Sequence, residues 1–335
     1  MVIVTKLKSA ATILREAWLL PRVPPNGTIF RNMRLLADSS PDKPRGLYHY
    51  LKKYPSLSRI VIDQDWTRDD VSGEMRLSYS NSMFASGCLR MRPGKNKNAA
   101  IVFLPGNLSG ADSVFGIENS PQNMTPVAEK FGMGLACWDW PLQGRRRDRC
   151  LYQGLRSLYS GEREYSRILP AMGTSLWREY VAELGFALVQ ICRLLGPERT
   201  VHVIGWSMGG CFAYLAPLLA AGIRTTIAIG SCARVKDLLT QGKTRVQGYF
   251  FYPLNGLAYF DLEDIVVETL KSSCSLKIIY GEHDPGCLEE TSRVLIDKAA
   301  EVKRPLGLTI LPGLGHEFSA IVKNQIAEFL ARPTN

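Results

Sequence analysis

The stretch VHVIGWSMGG, residues 201–210, decides the fold of this chain. Four residues that favour a strand lead into the pentapeptide GWSMG, and the apolar run CFAYLAPLLAA follows it. A G-x-S-x-G pentapeptide between a strand and a helix forms a sharp turn that exposes the serine hydroxyl above a sheet. The turn is so tight that a Cβ at either glycine would collide with the neighbouring backbone. The stretch therefore predicts Ser207 as a nucleophile.

A serine hydroxyl needs a base and an orienting acid before it attacks a carbonyl carbon. The strand predicted at 276–280 runs into GEHDP, which contains Asp284, and the later segment TILPGLGHEF places His316 after another strand. The order Ser207, Asp284, His316 is the one that accompanies this type of turn. We expect His316 to take the serine proton and to return it to the leaving group, while Asp284 fixes the imidazole tautomer.

Neighbouring residues are rivals for these two roles. Glu282 is the alternative acid, although the register after the strand favours Asp284. His283 would precede the acid and break the expected order. His202 lies inside the strand before the nucleophile, where we expect a hydrogen-bonded structural histidine, and His49 receives no role.

Two backbone amides are expected to hold the oxyanion that forms during the attack. One belongs to Met208, the residue after the nucleophile, and the other to the loop after an earlier strand. IVFLPGNLSG, residues 101–110, supplies such a strand and loop. We expect the amide of Asn107 to be the second donor, with Leu108 as the alternative.

The turn, the acid and the base together resemble the α/β-hydrolase fold superfamily, over roughly residues 85–335. DWPLQG, residues 139–144, resembles the segment after the fourth strand of these folds, which shapes the rim of the active site. One departure is that many relatives carry His-Gly before the oxyanion loop, where this chain has Pro105-Gly106. The resemblance implies a serine esterase or a lipase-like enzyme.

The remaining hydrophobic pattern also predicts an α/β fold. Short alternating runs indicate antiparallel strands near 59–63, 75–79 and 84–91. Further strands are predicted at 99–104, 134–138, 201–204, 225–229, 276–280 and 306–311, and helices at 175–195, 209–221, 287–300 and 317–331. Apolar strands that alternate with helices favour a mostly parallel central sheet with helices on both faces.

We expect two parts in the chain: an N-terminal amphipathic helix and basic arm at 1–57, and an α/β-hydrolase domain at 58–335. Insertions at about 142–174 and 233–272 follow strands and would form a pocket wall or a cap. The candidate substrate-binding residues are Trp206, Arg145, Phe251 and Tyr252.

These substrate-binding candidates have alternative interpretations. The run Arg145–Arg147, together with Arg149, favours a solvated loop, and the alternative is a site for a substrate carboxylate or phosphate. The aromatic residues of the second insertion either pack within the cap or line a pocket for an apolar group.

The excess positive charge is concentrated at the N-terminus. The formal net charge is +10, and the first 60 residues contain eleven of the 41 basic residues but only three of the 31 acidic ones. The rest of the chain is nearly neutral. A uniformly basic nucleic-acid-binding protein is not expected to show this distribution.

The first 20 residues predict an amphipathic helix that ends at Pro21. Arg15 and Glu16 interrupt its apolar stretch, which argues against a signal peptide and against a membrane span. The helix either packs on its own domain or lies on an anionic membrane surface. We expect a cytoplasmic protein, with peripheral membrane contact through residues 1–20 as the alternative.

The eight cysteines form no C-x-x-C motif and no zinc-site spacing with histidine. We interpret them mostly as small buried hydrophobic residues in a reducing compartment, with disulfides as the less favoured alternative.

The sequence thus predicts a serine hydrolase that cleaves a small-molecule carboxylic ester through an acyl-enzyme, with no metal or organic cofactor and no nucleic-acid partner. A thioesterase, an amidase or an acyltransferase would use the same triad. The pattern also allows an esterase that acts on lipids at a membrane surface. A non-catalytic protein of this fold is less favoured, because the intact triad argues against it.

Overall fold

The computed structural model describes residues 50–51, 53, 56–107, 109–149, 165–166, 169–170, 172–241 and 260–332. The strands in these ranges are β1 (Ile60–Arg68), β2 (Met75–Asn81), β3 (Gly87–Arg92), β4 (Ala99–Leu104), β5 (Gly134–Trp138), β6 (Thr200–Trp206), β7 (Ile223–Ile229), β8 (Ser275–Gly281) and β9 (Leu306–Leu311). They form one sheet in the order β1-β2-β3-β5-β4-β6-β7-β8-β9.

The helices of the described ranges lie between and after these strands. They are α1 (Ala111–Val114), α2 (Thr125–Lys130), α3 (Leu176–Leu195), α4 (Met208–Ala213), α5 (Ala216–Leu219), α6 (Val235–Thr240), α7 (Leu262–Lys271), α8 (Glu289–Glu301) and α9 (Ala320–Leu330), with a 3₁₀ helix at Gly144–Arg149.

The sheet is antiparallel at one end and parallel elsewhere. The pairs β1–β2, β2–β3 and β3–β5 are antiparallel, and all pairs from β5 through β4 and β6 to β9 are parallel. This arrangement confirms the predicted mostly parallel sheet with antiparallel strands at its start.

Both faces of the sheet are covered, as the continuous apolar strands require. Along β4, Ala100, Val102 and Leu104 face a core that includes α3, α4, α7 and α8. Ile101 and Phe103 face a second core that includes α1, α2 and α9. The alternation follows from the two-residue period of a strand.

One predicted helix is divided in the structure. The sequence predicts a single helix at 209–221, but α4 ends at Ala213 and α5 begins at Ala216. Pro217 has no backbone N–H to donate and its ring clashes with the preceding turn, so a continuous helix is disfavoured at this point.

The segment before β1 packs against α3. Glu179 is buried and accepts hydrogen bonds from the Ser56 hydroxyl at 2.6 Å and from the backbone amides of Leu57 at 2.9 Å and Ser58 at 3.1 Å. Tyr50 is also buried, and its ring lies edge-on to Trp177. The last residues of the predicted arm are thus attached to the sheet domain.

Several sequence predictions fall outside the described residues. They include the helix at 1–20, the arm up to residue 49, the centres of both insertions, Leu108, Phe251 and Tyr252. Among the helices that the structure describes, none has the length and apolar character needed to cross a bilayer. The membrane contact and the cytoplasmic location stay predictions.

The interpretation of the arginine run as a solvated loop is wrong for Arg146. Its side chain is buried and forms an ion pair with Glu183 of α3. It also donates to the backbone oxygens of Ala85 at 2.9 Å and Asp139 at 3.0 Å. Arg146 therefore holds the segment after β5 against the body of the domain.

The cysteines of the described ranges are free thiols. Cys137, Cys192 and Cys274 are buried, while Cys88, Cys211, Cys232 and Cys287 are half-buried. Burial raises the pKa of Cys274 to about 11. The prediction of mostly buried cysteines therefore holds for three of these seven residues.

His202 of β6 is buried, with 5% of its surface exposed. Its Nδ1 atom has no hydrogen-bond partner among the described residues, which differs at this nitrogen from the predicted hydrogen-bonded histidine. Desolvation, with a further contribution from Arg224, lowers the pKa of His202 from 6.5 to about 4.

We expect His202 to make the domain less stable in mild acid. Between pH 6.5 and about 4 the unfolded chain binds a proton that the folded chain does not, so stability falls as the pH falls. The loss is about 2 kcal/mol by pH 5. Urea unfolding at pH 7 and pH 5 should show a smaller loss for His202→Gln than for wild type. His283 is exposed, so His283→Gln should lose as much unfolding free energy between pH 7 and pH 5 as wild type. An equal loss in all three proteins would contradict the prediction.

Candidate active site

Ser207 lies on a strained turn between β6 and α4. Its φ of 54° and ψ of −117° are rare for a residue with a side chain. The backbone holds this conformation, because the Ser207 amide donates to the Ile229 oxygen at 2.8 Å and the Cys211 amide donates to the Ser207 oxygen at 3.1 Å. A Cβ on Gly205 would overlap the Gly209 carbonyl, and one on Gly209 would overlap the Leu104 carbonyl.

The structure brings the three predicted catalytic side chains together. His316 Nε2 lies 2.8 Å from Ser207 Oγ, and His316 Nδ1 lies 2.8 Å from Asp284 Oδ2. They follow β6, β8 and β9, whose carboxyl ends meet at one edge of the parallel sheet. The side chain of Asp284 is 3% exposed and that of His316 is 39% exposed. The acid is therefore enclosed, while the imidazole is open to a reactant.

Backbone contacts join the two loops that carry Asp284 and His316. The Glu282 amide donates to the Leu311 oxygen at 3.0 Å, and the His283 amide donates to the Leu314 oxygen at 2.8 Å. The Glu282 carboxylate accepts from the Gly313 amide at 2.8 Å. Glu282, the rival acid, thus braces the turn before the histidine.

Asp284 is held on both of its oxygens. Oδ1 accepts a hydrogen bond from the Gly286 amide at 2.7 Å, and Oδ2 faces His316 Nδ1. The amide therefore fixes the carboxylate so that its second oxygen points at the imidazole.

Gly230, which follows β7, was not singled out from the sequence. Its φ is +52°, and an added Cβ would lie 2.9 Å from Asp284 Oδ2 and 3.1 Å from His316 Cε1. The absence of a side chain at this position makes room for the contact between acid and imidazole. A glycine directly after an apolar strand, at the edge where the triad gathers, is the signal that the sequence offered.

Trp206 packs on the imidazole. Its ring stacks on His316 with a centroid distance of 5.6 Å and an interplanar angle of 26°. It also meets Phe318 edge-on at 5.9 Å. The indole thus lies beside the reacting groups and restrains the plane of His316.

The predicted oxyanion donors lie on two elements next to Ser207. Met208 is the first residue of α4, and amides in the first turn of a helix have no partner within the helix. Asn107 lies in a turn after β4, which the Ser109 amide closes by donating to the Gly106 oxygen at 3.2 Å. A Cβ built on Gly106 would be 3.3 Å from Ser207 Cβ, so this turn packs directly against the serine.

Arg145 lies at the surface in an ion pair. Its side chain is 71% exposed, and its Nε atom donates to Asp112 at 2.6 Å. Arg90 also binds Asp112, at 2.6 Å. Burial alone would raise the pKa of Asp112, but these two arginines lower it below its ordinary value. Arg145 is therefore already paired with a carboxylate of the protein.

Comparisons of the sequence with protein-family models and with curated proteins find no match. Solved structures are similar. Acetyl xylan esterase 1 from Thermoanaerobacterium sp. JW/SL YS485 has a TM-score of 0.52 and 16% identity, over 89% of this chain and 97% of that one. Acetyl xylan esterase from Paenibacillus sp. R4 has a TM-score of 0.50 and 14% identity, over 90% and 92%. Sheet order, strand directions and these similarities agree, and the chain therefore has the α/β-hydrolase fold.

Proposed function

We propose that this protein is a serine hydrolase that cleaves a carboxylic ester of a small molecule through an acyl-enzyme intermediate. The observation that carries the proposal is the His316 imidazole, which bridges Ser207 Oγ and Asp284 Oδ2 at 2.8 Å on each side. This arrangement supplies the base that a serine needs and the carboxylate that orients the base. Esterases among the structures of the same fold support the proposal.

The proposed acylation uses this geometry. Ser207 Oγ attacks the ester carbonyl carbon while its proton passes to His316 Nε2. Asp284 accepts the Nδ1 hydrogen bond and stabilises the imidazolium that forms. The tetrahedral intermediate then expels the alcohol, which takes the proton from His316. In the second half, His316 removes a proton from water, and the resulting hydroxide attacks the acyl carbon. The bond to Ser207 Oγ then breaks, His316 returns the proton to Oγ, and the acid is released.

The negative charge on the carbonyl oxygen needs fixed donors. We propose the backbone amides of Met208 and Asn107 for this role. Their support is the position of each residue, the first at the start of α4 beside Ser207 and the second in the turn that packs against the serine.

The residues near the His316 imidazole indicate what kind of substrate the site would accept. Trp206 offers a flat apolar surface next to His316, which favours an apolar group on the substrate. Arg145 is less suited to hold a substrate anion, because Asp112 already binds it. A series of p-nitrophenyl esters of increasing acyl length, together with matched thioester and amide substrates, measures which acyl group and which bond the protein prefers.

A fluorophosphonate probe tests the proposal, because such probes phosphonylate an activated serine. We expect the wild type to be labelled and Ser207→Ala to be unlabelled. Ser72→Ala, which changes an exposed serine in the turn after β1, is the control and should be labelled like wild type. Loss of labelling should accompany a fall of about 10⁴–10⁶-fold in p-nitrophenyl ester turnover. A wild type that neither labels nor turns over any ester would contradict the proposal.

Gly230→Ala should impair turnover while the domain stays folded. The new Cβ meets Asp284 Oδ2 and His316 Cε1, so the acid and the imidazole must move apart. A displacement of this kind costs about 10²-fold in rate. Gly313→Ala is the matched control, because Gly313 also has a positive φ of +68° but nothing lies within 4 Å of an added Cβ. Equal turnover in the two variants, measured with thermal unfolding of both, would refute the steric explanation.

A further inference from the structure

Gln122 lies in the segment between α1 and α2, and the residue is only 3% exposed. Nothing in the sequence marks it as functional. Its Oε1 atom accepts a hydrogen bond from the Gly106 amide at 3.1 Å, and its Nε2 atom donates to the Ser109 hydroxyl. Both polar ends of a buried side chain therefore bind the turn that follows β4.

The two contacts fall on the first and last residues of that turn. Gly106 and Ser109 are already joined by a backbone hydrogen bond of 3.2 Å, which closes the turn around Asn107. Gln122 adds a second connection across the same two residues. The turn is thus fixed by a side chain from another part of the chain as well as by its own backbone.

The Gly106 contact also bears on which amide serves the oxyanion. The Gly106 N–H points at the Gln122 oxygen, so it is engaged inside the protein. Gly106 itself packs against Trp206 and Ser207. The donor that the loop presents to a substrate must therefore come from beyond Gly106, which agrees with the assignment of Asn107.

Gln122 is in turn held by its own segment. Its backbone amide donates to the Ser120 hydroxyl at 3.2 Å, and the following Asn123 amide donates to the Ser120 oxygen at 3.1 Å. The Met124 amide then donates to the Val114 oxygen at 3.0 Å, which ties the segment to α1. The segment that carries Gln122 is therefore attached to α1 as well as to the turn.

We propose that Gln122 is a positioning residue for the oxyanion turn: its carboxamide spans Gly106 and Ser109 and so holds the Asn107 amide against the nucleophile. The proposal rests on the proposed hydrolase function. Oxyanion donors act only when they are fixed in advance at the place where charge develops. A turn that loses its brace would still bind substrate but would stabilise the tetrahedral intermediate less well.

Steady-state kinetics on a p-nitrophenyl ester test this role with Gln122→Met, which keeps the length of the side chain and removes both hydrogen bonds. We expect kcat to fall about 10–100-fold and KM to change less than about threefold, because the loss falls on the transition state. The rate of fluorophosphonate labelling should fall in parallel. Ser109→Ala, which removes one contact, should have a smaller effect, and the double variant should be no worse than Gln122→Met.

Gln190→Met is the matched control, since Gln190 is a buried glutamine on α3 whose oxygen accepts from Arg193. It should keep wild-type kcat. Wild-type kcat in Gln122→Met, or a fall seen only in KM, would overturn the positioning role. If Gln122→Met does not fold, Ser109→Ala alone tests the positioning role of Gln122. A kcat of Ser109→Ala equal to that of wild type would then overturn this role.

A readout that does not depend on activity separates this inference from the proposed function. Hydrogen exchange of the Gly106 amide, followed by NMR, should be slow in wild type and faster in Gln122→Met. If wild type shows no ester turnover and no labelling, the hydrolase proposal fails. If turnover is normal but the Gly106 amide exchanges equally fast in both proteins, the brace is refuted while the hydrolase proposal stands.

Discussion

His316→Ala should lower ester turnover by about 10⁴–10⁶-fold, the range seen when a member of such a triad is removed. The substitution removes the imidazole nitrogen that lies within hydrogen-bond distance of Ser207 Oγ, so the hydroxyl loses its base. The measurement is kcat/KM on a p-nitrophenyl ester. His283→Ala is the control, because this exposed histidine lies on the adjoining loop and should leave turnover unchanged.

The exposure of His316 allows a stricter test of the same variant. The side chain is 39% exposed, so its removal opens a space that small molecules reach from solvent. Added imidazole should then restore part of the lost turnover in His316→Ala in a saturable way, and should do nothing for Ser207→Ala. Equal restoration in both variants would show that imidazole acts on the ester in solution. The rescue experiment would then give no support for His316 as the base.

Asp284→Asn is expected to reduce kcat by about 10⁴-fold with little change in fold. The Gly286 amide at 2.7 Å would keep the amide oxygen of the new Asn on its side, so the NH₂ group would face His316 Nδ1. The imidazole would then accept at Nδ1 and carry its proton on Nε2, which is the wrong tautomer to take a proton from Ser207. The change should appear in kcat, with fluorophosphonate labelling slowed to a similar degree.

Glu282→Gln tests which of the two carboxylates after β8, Glu282 or Asp284, orients the imidazole. Its amide oxygen still accepts from the Gly313 amide, so the brace survives and turnover should stay within about threefold of wild type. If Glu282→Gln loses as much activity as Asp284→Asn, the rival acid carries the function and the assignment of Asp284 is wrong.

The sequence was sufficient to predict the sheet, because its strands are recognisable apolar runs. It was also sufficient to predict the three clustered side chains, because each of them follows one of these strands. Ser207, Asp284 and His316 are placed by strand ends, and parallel strand ends meet at one edge. Gln122 follows no strand, and Gly230, which does follow one, has no side chain whose chemistry would mark it. Gln122 acts through a turn thirteen to sixteen residues earlier, and the importance of Gly230 depends on a triad that forms only in the folded state.

The structure differs from the sequence prediction at two further places. One difference has a cause in the local sequence, and the other depends on a residue far along the chain. The break between α4 and α5 was readable from Pro217, because proline cannot continue a helix ladder. The burial of Arg146 was not readable, since its partner Glu183 lies 37 residues further along the chain and the surrounding sequence is typical of a solvated loop.

The hydrogen bonds that hold the loops carrying Ser207, Asp284 and His316 are mostly between backbone atoms. The amide of Ser207 meets the β7 strand end, that of Gly230 meets β8, and those of Glu282 and His283 meet the end of β9 and the segment after it. Such bonds form whatever side chains the residues carry. Most of the frame can therefore diverge in sequence without losing its geometry, which accounts for a chain that shares a fold with acetyl xylan esterases at 14–16% identity. What divergence must spare is small: Ser207, Asp284 and His316, which we propose as the reacting groups, and the positions where a Cβ would not fit.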